Sequence, residues 1–173
     1  MHALRPAGHG VAGIESVRAA CTRDGTGHLQ LRWEVRGALQ DLQVPAAGVP
    51  RREDGLWRHT CFEAFIAPAT GAPGYLEVNL TPSLAWATYA FSDYRSGQRV
   101  AQEAPLEDPR CEREAHRLLL EARLRWDPGP AARVGLSAVL EAADGALGYW
   151  ALAHTGERPD FHRRDAFVLQ LPA

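Results

Sequence analysis

The chain has 173 residues, of which 46% are hydrophobic and 23% are charged, a composition typical of a globular protein that buries a sizeable core. Its net charge of −2 provides no electrostatic footprint for nucleic acid or for an anionic membrane. The three cysteines are far apart and odd in number, which argues against a disulfide framework and a Cys-based zinc site. With no apolar membrane span and no signal-peptide segment, we expect a cytoplasmic protein with reduced thiols.

The N-terminal part of the chain predicts a lead-in followed by two strands. Residues 1–13 carry no pattern and are expected to be a loose N-terminal lead-in, with a single domain spanning residues 14–173. Residues 14–22 and 28–36 predict two strands around an Asp-Gly turn. A long loop without periodicity follows, and such a loop is a candidate wall for a site.

Three further strands are predicted in a segment rich in aromatic residues, between Gly55 and Arg95. In the first two strands, alternation places Glu63, Glu77 and Asn79 opposite the residues that face the core. The third strand is apolar on both faces, so the pattern leaves open which face Trp86 serves.

The C-terminal half predicts more short strands. Residues 99–104 predict a short strand, and residues 134–140, 147–153 and 167–171 predict the last three. Residues 111–126 fit both a strand and a helix, and a strand is favoured because its neighbours are strands. Eight to ten short strands without a firm helix predict an all-β fold, an antiparallel β-sandwich.

The predicted site lies on the non-core face of the central strands. Glu63 and Glu77 are paired carboxylates, which act as acid and base, accept hydrogen bonds from sugar hydroxyls, or simply carry solvated charge. Aromatic rings beside Glu and Asn side chains suit a polar ligand with apolar faces, such as a saccharide. The candidate ligand-binding residues are Trp57, Glu63, Glu77, Asn79, Trp86 and Arg95.

Three histidines are alternative candidates for binding a haem or a metal ion. His59, His154 and His162 match no zinc-binding spacing, and each has an ordinary structural role open to it. The sequence contains neither a nucleophile elbow nor a glycine-rich phosphate loop, so no catalytic residue and no cofactor is predicted.

Three blocks of the sequence resemble the bacterial stand-alone DOMON-like proteins: LWRHTCFEAFI at 56–66, YLEVNLTPSLAWATYAFSDYRSG at 75–97 and YWALAHTGERPDFHRRDAFVLQL at 149–171. These proteins are related to family-nine carbohydrate-binding modules and to DOMON domains that bind haem or sugars. The resemblance implies a β-sandwich and a ligand site at Trp57, Glu63, Glu77 and Asn79, with Arg95 and the loop of Asp160, Phe161 and His162 as further candidates. Two positions depart from the relatives' pattern: Gln98 replaces a methionine, and Thr60 replaces an aspartate of the sugar binders.

Together, the residues and the resemblance favour a non-catalytic domain that binds a saccharide or a similar polar small molecule. A haem- or metal-binding domain for electron transfer or sensing is one alternative. A hydrolase with Glu63 and Glu77 as its acid and base is another. Neither nucleic acid nor a membrane is an expected partner, and the ligand's identity and the oligomeric state are open.

Overall fold

Residues 1–172, which the computed structural model describes, form thirteen strands and three 3₁₀ helices. The strands are β1 (His2–Pro6), β2 (Ile14–Arg23), β3 (Leu29–Gly37), β4 (Arg51–Arg52), β5 (Cys61–Pro68), β6 (Tyr75–Leu80), β7 (Ala85–Phe91), β8 (Arg99–Val100), β9 (Leu106–Arg113), β10 (Arg117–Leu124), β11 (Ala132–Glu141), β12 (Leu147–Ala151) and β13 (Leu169–Leu171). The helices are Leu39–Asp41, Leu56–Arg58 and Arg164–Ala166, and none of them is long and apolar enough to cross a membrane. The predicted all-β fold is confirmed, and residue 173, where the predicted domain ends, lies outside the described residues.

One continuous sheet curls into two packed layers. Its strands pair in the order β4-β7-β6-β5-β11-β12-β1-β2-β3-β10-β9, with β8 beside β7 and β13 beside β11. β1 links the layers, because its first half pairs with β2 and its second half pairs with β12. Among the described strands, only β4 and β7 run parallel. The layer of β2, β3, β10 and β9 packs over the layer of β11, β5, β6 and β7, which is the arrangement of a β-sandwich.

The main core lies between these two layers, and alternation along the strands supplies it. The rings of Trp33 and Phe62, from opposite layers, have centroids 6.1 Å apart, and both side chains are fully buried. Burial of each large apolar side chain contributes about 1.5–3 kcal/mol. The inward-facing residues predicted for four strands are confirmed: Leu29, Leu31, Trp33 and Val35 in β3; Phe62, Ala64 and Ile66 in β5; Leu76, Val78 and Leu80 in β6; and Val134, Leu136, Ala138 and Leu140 in β11.

The N-terminal segment is more ordered than the sequence predicted. Residues 1–13 were expected to be a loose lead-in, but His2–Pro6 form the strand β1. Only Leu4 of this strand is buried, so the strand leaves no alternating pattern in the sequence. Its position is determined by backbone hydrogen bonds to both layers.

The segment with both strand and helix character consists of strands, but the predicted boundaries were wrong. A turn at residues 114–116 separates β9 from β10, so residues 111–126 span parts of two strands. Asp108 has a φ of 49°, and the register of β9 against β10 shifts beside it. This bulge and Pro109 are tolerated because β9 is an edge strand. The predicted strand at 99–104 is limited to Arg99–Val100, and Phe167 precedes β13 rather than belonging to it.

Candidate functional site

The candidate site lies on the outer face, by which we mean the side of the β5-β6-β7-β11 layer that points away from the main core. Glu63 pairs with Asn79 on β6 and with Ser137 on β11, while Phe65 pairs with Glu77. Glu63 and Glu77 are therefore diagonal neighbours, whose Cα atoms lie about 7–8 Å apart in such a ladder. Their side chains are not solvated, since Glu63 is 3% exposed and Glu77 is 4% exposed.

A second apolar cluster, contributed partly by the loop before β13, covers this outer face. Phe167 stacks on Phe65 with ring centroids 6.0 Å apart. Gly135, beside Phe65 on β11, makes room for this ring, since a Cβ atom there would lie 2.9 Å from the ring of Phe167. The buried members of the cluster are Leu56, Cys61, Phe65, Ala67, Tyr75, Ala85, Ala87, Tyr89, Phe91 and Phe167.

The cover leaves a cavity of about 310 Å³ above the sheet. Carboxyl groups from two neighbouring strands line it, together with aromatic side chains and one guanidinium group. The lining residues are Trp57, Glu63, Phe65, Glu77, Phe91, Arg95, Gln98, Val139, Tyr149, Pro159, Phe161 and His162. The volume is at the lower end of the range of about 300–1,000 Å³ found for small-molecule pockets.

Burial changes the acidity of both carboxyl groups. Burial first, and then the neighbouring charge of Glu77, raise the pKa of Glu63 from 4.5 to about 8, so Glu63 is mostly protonated at neutral pH. Burial also raises the pKa of Glu77, against the lowering effect of its 2.7 Å hydrogen bond from the amide of Asn79. The two groups therefore differ from surface glutamates, which are ionised at neutral pH.

His162 stands over these carboxyl groups as an uncharged ring. Burial, together with the nearby charge of Arg95, lowers the pKa of His162 from 6.5 to about 4. Its Nδ1 atom is 2.8 Å from the hydroxyl of Tyr75, and its ring packs against Phe65 and Phe91. Its Nε2 atom is 3.8 Å from Oε2 of Glu77, too far for a hydrogen bond, and the neutral ring forms no ion pair at neutral pH.

Arg95 is held at the rim of the cavity by the loop that carries His162. Its guanidinium group donates to Asp160 at 2.8 Å, and Tyr94 also donates to that carboxylate. Its backbone nitrogen donates to the hydroxyl of Tyr75 at 3.2 Å, and its φ is 50°. These contacts join the segment after β7 to the loop of Asp160, Phe161 and His162. The resemblance had implied that these three loop residues are further candidates for ligand binding.

The structure brings four of the predicted ligand-binding residues to this cavity. Trp57, Glu63, Glu77 and Arg95 line it. Trp57 is 39% exposed and lies edge-on to Tyr89, so its ring is available at the surface. Asn79 is fully buried and does not line the cavity, but its amide positions the carboxylate of Glu77.

Trp86 does not join them, and the prediction that it supports the site was wrong. It pairs with Leu80 across the β6-β7 ladder and packs against the main core. Tyr89 and Phe91, at the opposite parity of β7, are the residues that reach the outer face. Both faces of this strand are buried and its sequence is apolar throughout, so alternation does not indicate which side chains point toward the main core.

The three histidines proposed as haem or metal ligands lie in different places. The ring of His59 is 2.8 Å from the carboxylate of Glu141, and His154 is 2.8 Å from the backbone carbonyl of Arg5. Only His162 lines the cavity. Within residues 1–172, no three His, Cys, Asp or Glu side chains are grouped so that they could hold a metal ion, and the three histidines do not share one site.

A second cavity of about 580 Å³ lies beneath the long loop, which was predicted to be a wall of the site. Its charged side chains are already paired, Arg51 with Glu53 at 2.8 Å and His59 with Glu141 at 2.8 Å. Thr60 accepts from the backbone of Glu141 and donates to the carbonyl of Gln43, so it anchors the loop. Although this cavity is larger, its groups are satisfied, and we consider the outer-face cavity the better candidate.

Several lining residues were missed by reasoning from the sequence. Tyr149 pairs with Val139 in the β11-β12 ladder, and both side chains line the cavity. Alternation along β11 places Val139 opposite the core-facing residues, a signal that could have found it. Pro159 and Gln98 lie in loops, where no periodicity indicates a direction.

Comparisons with known proteins support the fold. The sequence matches no protein-family profile and no curated protein. A solved structure of "a putative carbohydrate-binding protein" from Bacteroides uniformis is similar, with a TM-score of 0.59 and 17% sequence identity. The similarity covers 90% of this chain and 76% of that one. At this identity the likeness demonstrates a shared fold.

Proposed function

We propose that the outer-face cavity binds a saccharide or a similar polar small molecule without chemical conversion. One observation carries the proposal: two buried carboxyl groups, Glu63 and Glu77, line a cavity together with five aromatic side chains. Aromatic rings stack on the apolar faces of a sugar ring, while carboxyl and amide groups hydrogen-bond its hydroxyls.

The protonation of Glu63 suits this role. With a pKa near 8, the carboxyl group both donates and accepts hydrogen bonds at neutral pH. A sugar hydroxyl does the same, so the two groups are complementary. Arg95 adds fixed donors at the rim, and the exposed ring of Trp57 is a stacking surface.

The likeness to the "putative carbohydrate-binding protein" of Bacteroides uniformis agrees with this proposal at the level of the fold. The three sequence blocks lead us to propose further that the chain is a single-domain member of the bacterial DOMON-like proteins. Its free cysteines, Cys21, Cys61 and Cys111, fit a reducing compartment such as the cytoplasm.

Binding can be tested by calorimetry against a panel of mono- and disaccharides, with intrinsic fluorescence of Trp57 as a second readout. The variants Trp57→Ala and Glu77→Gln should each weaken binding about five- to thirtyfold, since each removes a contact worth about 1–2 kcal/mol. Glu121→Gln, on the other layer, is the matched control. Absence of binding to any saccharide, or binding that both cavity variants leave unchanged, would contradict the proposal.

A second candidate function is hydrolysis of a glycosidic bond. It is favoured by the two carboxyl groups in one cavity, because their diagonal placement is compatible with the separation of about 5–9.5 Å between the carboxyls of glycoside hydrolases. Glu63, protonated at neutral pH, would be the general acid and Glu77 the base. Release of nitrophenol from nitrophenyl glycosides by the wild type, but not by Glu63→Gln, would support it, and binding without turnover would exclude it for those substrates.

A further inference from the structure

Each of the two buried carboxyl groups keeps one oxygen free of protein hydrogen bonds. Oε2 of Glu63 accepts from the hydroxyl of Ser137 at 3.3 Å, and Oε1 of Glu77 accepts from the amide of Asn79 at 2.7 Å. No described residue donates a hydrogen bond to the other oxygen of either carboxyl group. Neither of these two oxygens is enclosed by protein; both residues line the cavity, so a hydrogen-bond donor of a ligand can reach them.

The acidic pair also has no cation of its own within the described part of the chain. Arg95, the cation that lines the cavity, donates to the carboxylate of Asp160 and not to either glutamate, although its charge lowers the pKa of both Glu63 and Glu77. His162 is uncharged at neutral pH, and it is 3.8 Å from Glu77. The site can therefore accept positive charge from a ligand, which would pair with Glu77 and Glu63.

The walls of the cavity favour the same kind of ligand. Five aromatic side chains line it, namely Trp57, Phe65, Phe91, Tyr149 and Phe161. The faces of such rings attract cations, by about 0.5–2 kcal/mol for each favourable contact. Open carboxyl oxygens at the floor accept hydrogen bonds and the aromatic faces at the sides attract positive charge, so together they suit an ammonium group.

We propose that the natural ligand of this cavity carries an organic ammonium group, which lies between Glu63 and Glu77 with the aromatic rings around it. The inference rests on the same cavity as the proposed function and narrows it to a saccharide or small molecule that bears an amine. A ligand without charge would instead leave the carboxyl groups to hydrogen-bond hydroxyls.

Binding of an ammonium group has a measurable consequence for protons. In the free protein, burial raises the pKa of Glu63 to about 8, so this group holds a proton at neutral pH. A cation beside the carboxyl lowers that pKa and expels the proton, whereas a neutral ligand does not. The other titratable groups that face Glu63 are Cys61, Glu77, Arg95, Tyr149 and His162; burial also raises the pKa of Glu77 and of the Cys61 thiol.

The test uses probes that differ in charge and little else. Ethanolamine, which is protonated at pH 7, is compared with 1-propanol, its uncharged isostere, and glucosamine is compared with glucose, all by calorimetry at pH 7. Each titration is repeated in two buffers of different ionisation enthalpy, which reports the number of protons released. The variants are Glu63→Gln and Glu77→Gln, with Glu121→Gln as the control and thermal unfolding as the check of folding.

We expect ethanolamine to bind at least about tenfold more tightly than 1-propanol, a difference of about 1.4 kcal/mol. Its binding should release a fraction of a proton, and both cavity variants should abolish the preference while Glu121→Gln retains it. Equal binding of the charged and uncharged probes, or binding of neither probe, overturns the inference. The comparison of glucosamine with glucose separates the two proposals. If both sugars bind equally well, the ammonium site alone is overturned. If the cationic probe binds and no saccharide does, the saccharide function alone is overturned.

Discussion

The two faces of the β5-β6-β7-β11 layer are both buried, but they are buried by different means. The inner face is apolar, and the opposite layer of the sandwich covers it, with Phe62 against Trp33. The outer face carries Glu63, Glu77 and Asn79 among aromatic residues, and a loop covers it. One cover packs without a large void, while the other leaves a cavity of about 310 Å³.

Because of this difference, the inner face mainly stabilises the fold, while the outer face provides the proposed binding site. The inner face gains free energy from close packing of apolar groups. The outer face places ionisable groups in a poorly solvated site, which raises the pKa of both glutamates and leaves their acceptors open. Burial by itself does not identify a core, because the same strands present a core on one side and a site on the other.

The largest effect should come from the inner face. Phe62→Ala is expected to lower the free energy of unfolding by about 3–5 kcal/mol, because it opens a cavity between the two layers. Phe161→Ala, on the half-buried cover of the outer face, should lower it by about 1 kcal/mol. Urea denaturation of both variants measures the contrast. Equal losses would show that the cover stabilises the fold as much as the core does.

The second effect concerns pH and the outer face. The folded-state pKa of Glu63, about 8, lies above its unfolded value of 4.5, so its contribution to stability is complete below pH 4.5 and is lost as the pH rises through 8. The pKa of His162 is lowered from 6.5 to about 4, so its contribution is lost as the pH falls below 6.5. Above pH 6.5 the effect of the glutamates therefore stands alone.

Denaturation with urea between pH 6.5 and pH 8 measures this effect. The free energy of unfolding of the wild type should fall by up to about 1.4 kcal/mol per pH unit. Glu63→Gln should flatten most of the slope, and the surface variant Glu121→Gln should retain it. A slope that is the same in all three proteins would show that Glu63 is ionised in the folded state.

The third effect distinguishes two tryptophans on opposite faces. Trp57→Ala should weaken ligand binding about tenfold while changing the free energy of unfolding by less than about 0.5 kcal/mol, because the side chain is a surface ring. Trp86→Leu should lower stability and leave the affinity of the folded protein unchanged, because it packs on the inner face. Calorimetric titrations of both variants with the same saccharide decide between the faces, and the reverse pattern would place the site against the main core.

The smallest effect is expected at His59. The ring is largely exposed and its partner is Glu141, beside the second cavity. His59→Gln should change the free energy of unfolding by less than about 0.5 kcal/mol and leave binding at the outer face unaltered. A large loss of affinity in this variant would move the site to the second cavity.

Much of the fold follows from alternation along the strands. The core positions of β3, β5, β6 and β11 were predicted by residue, and so was the common face of Glu63, Glu77 and Asn79. These strands have one clearly apolar face, so a period of two determines their orientation.

The remaining features depend on contacts that leave no local pattern. β1 is held by backbone pairing on both sides, and β7 is apolar on both faces, which hid the direction of Trp86. The burial of Glu63 and Glu77 depends on the loop of Phe161 and Phe167, far away in the sequence. Alternation along β5 and β6 predicted that the outer face is polar. The cavity on that face forms only when the distant loop packs over it in the folded protein.

The central claim is that the outer-face cavity is the binding site. Its most direct test is the map of backbone and indole amide shifts of isotope-labelled protein during titration with the saccharide or amine that binds best. We predict that the shifts cluster at Trp57, Glu63, Glu77, Arg95 and His162. Shifts centred on Gln43, Thr60 and Glu141 at the second cavity, or no saturable shifts anywhere, would contradict the account.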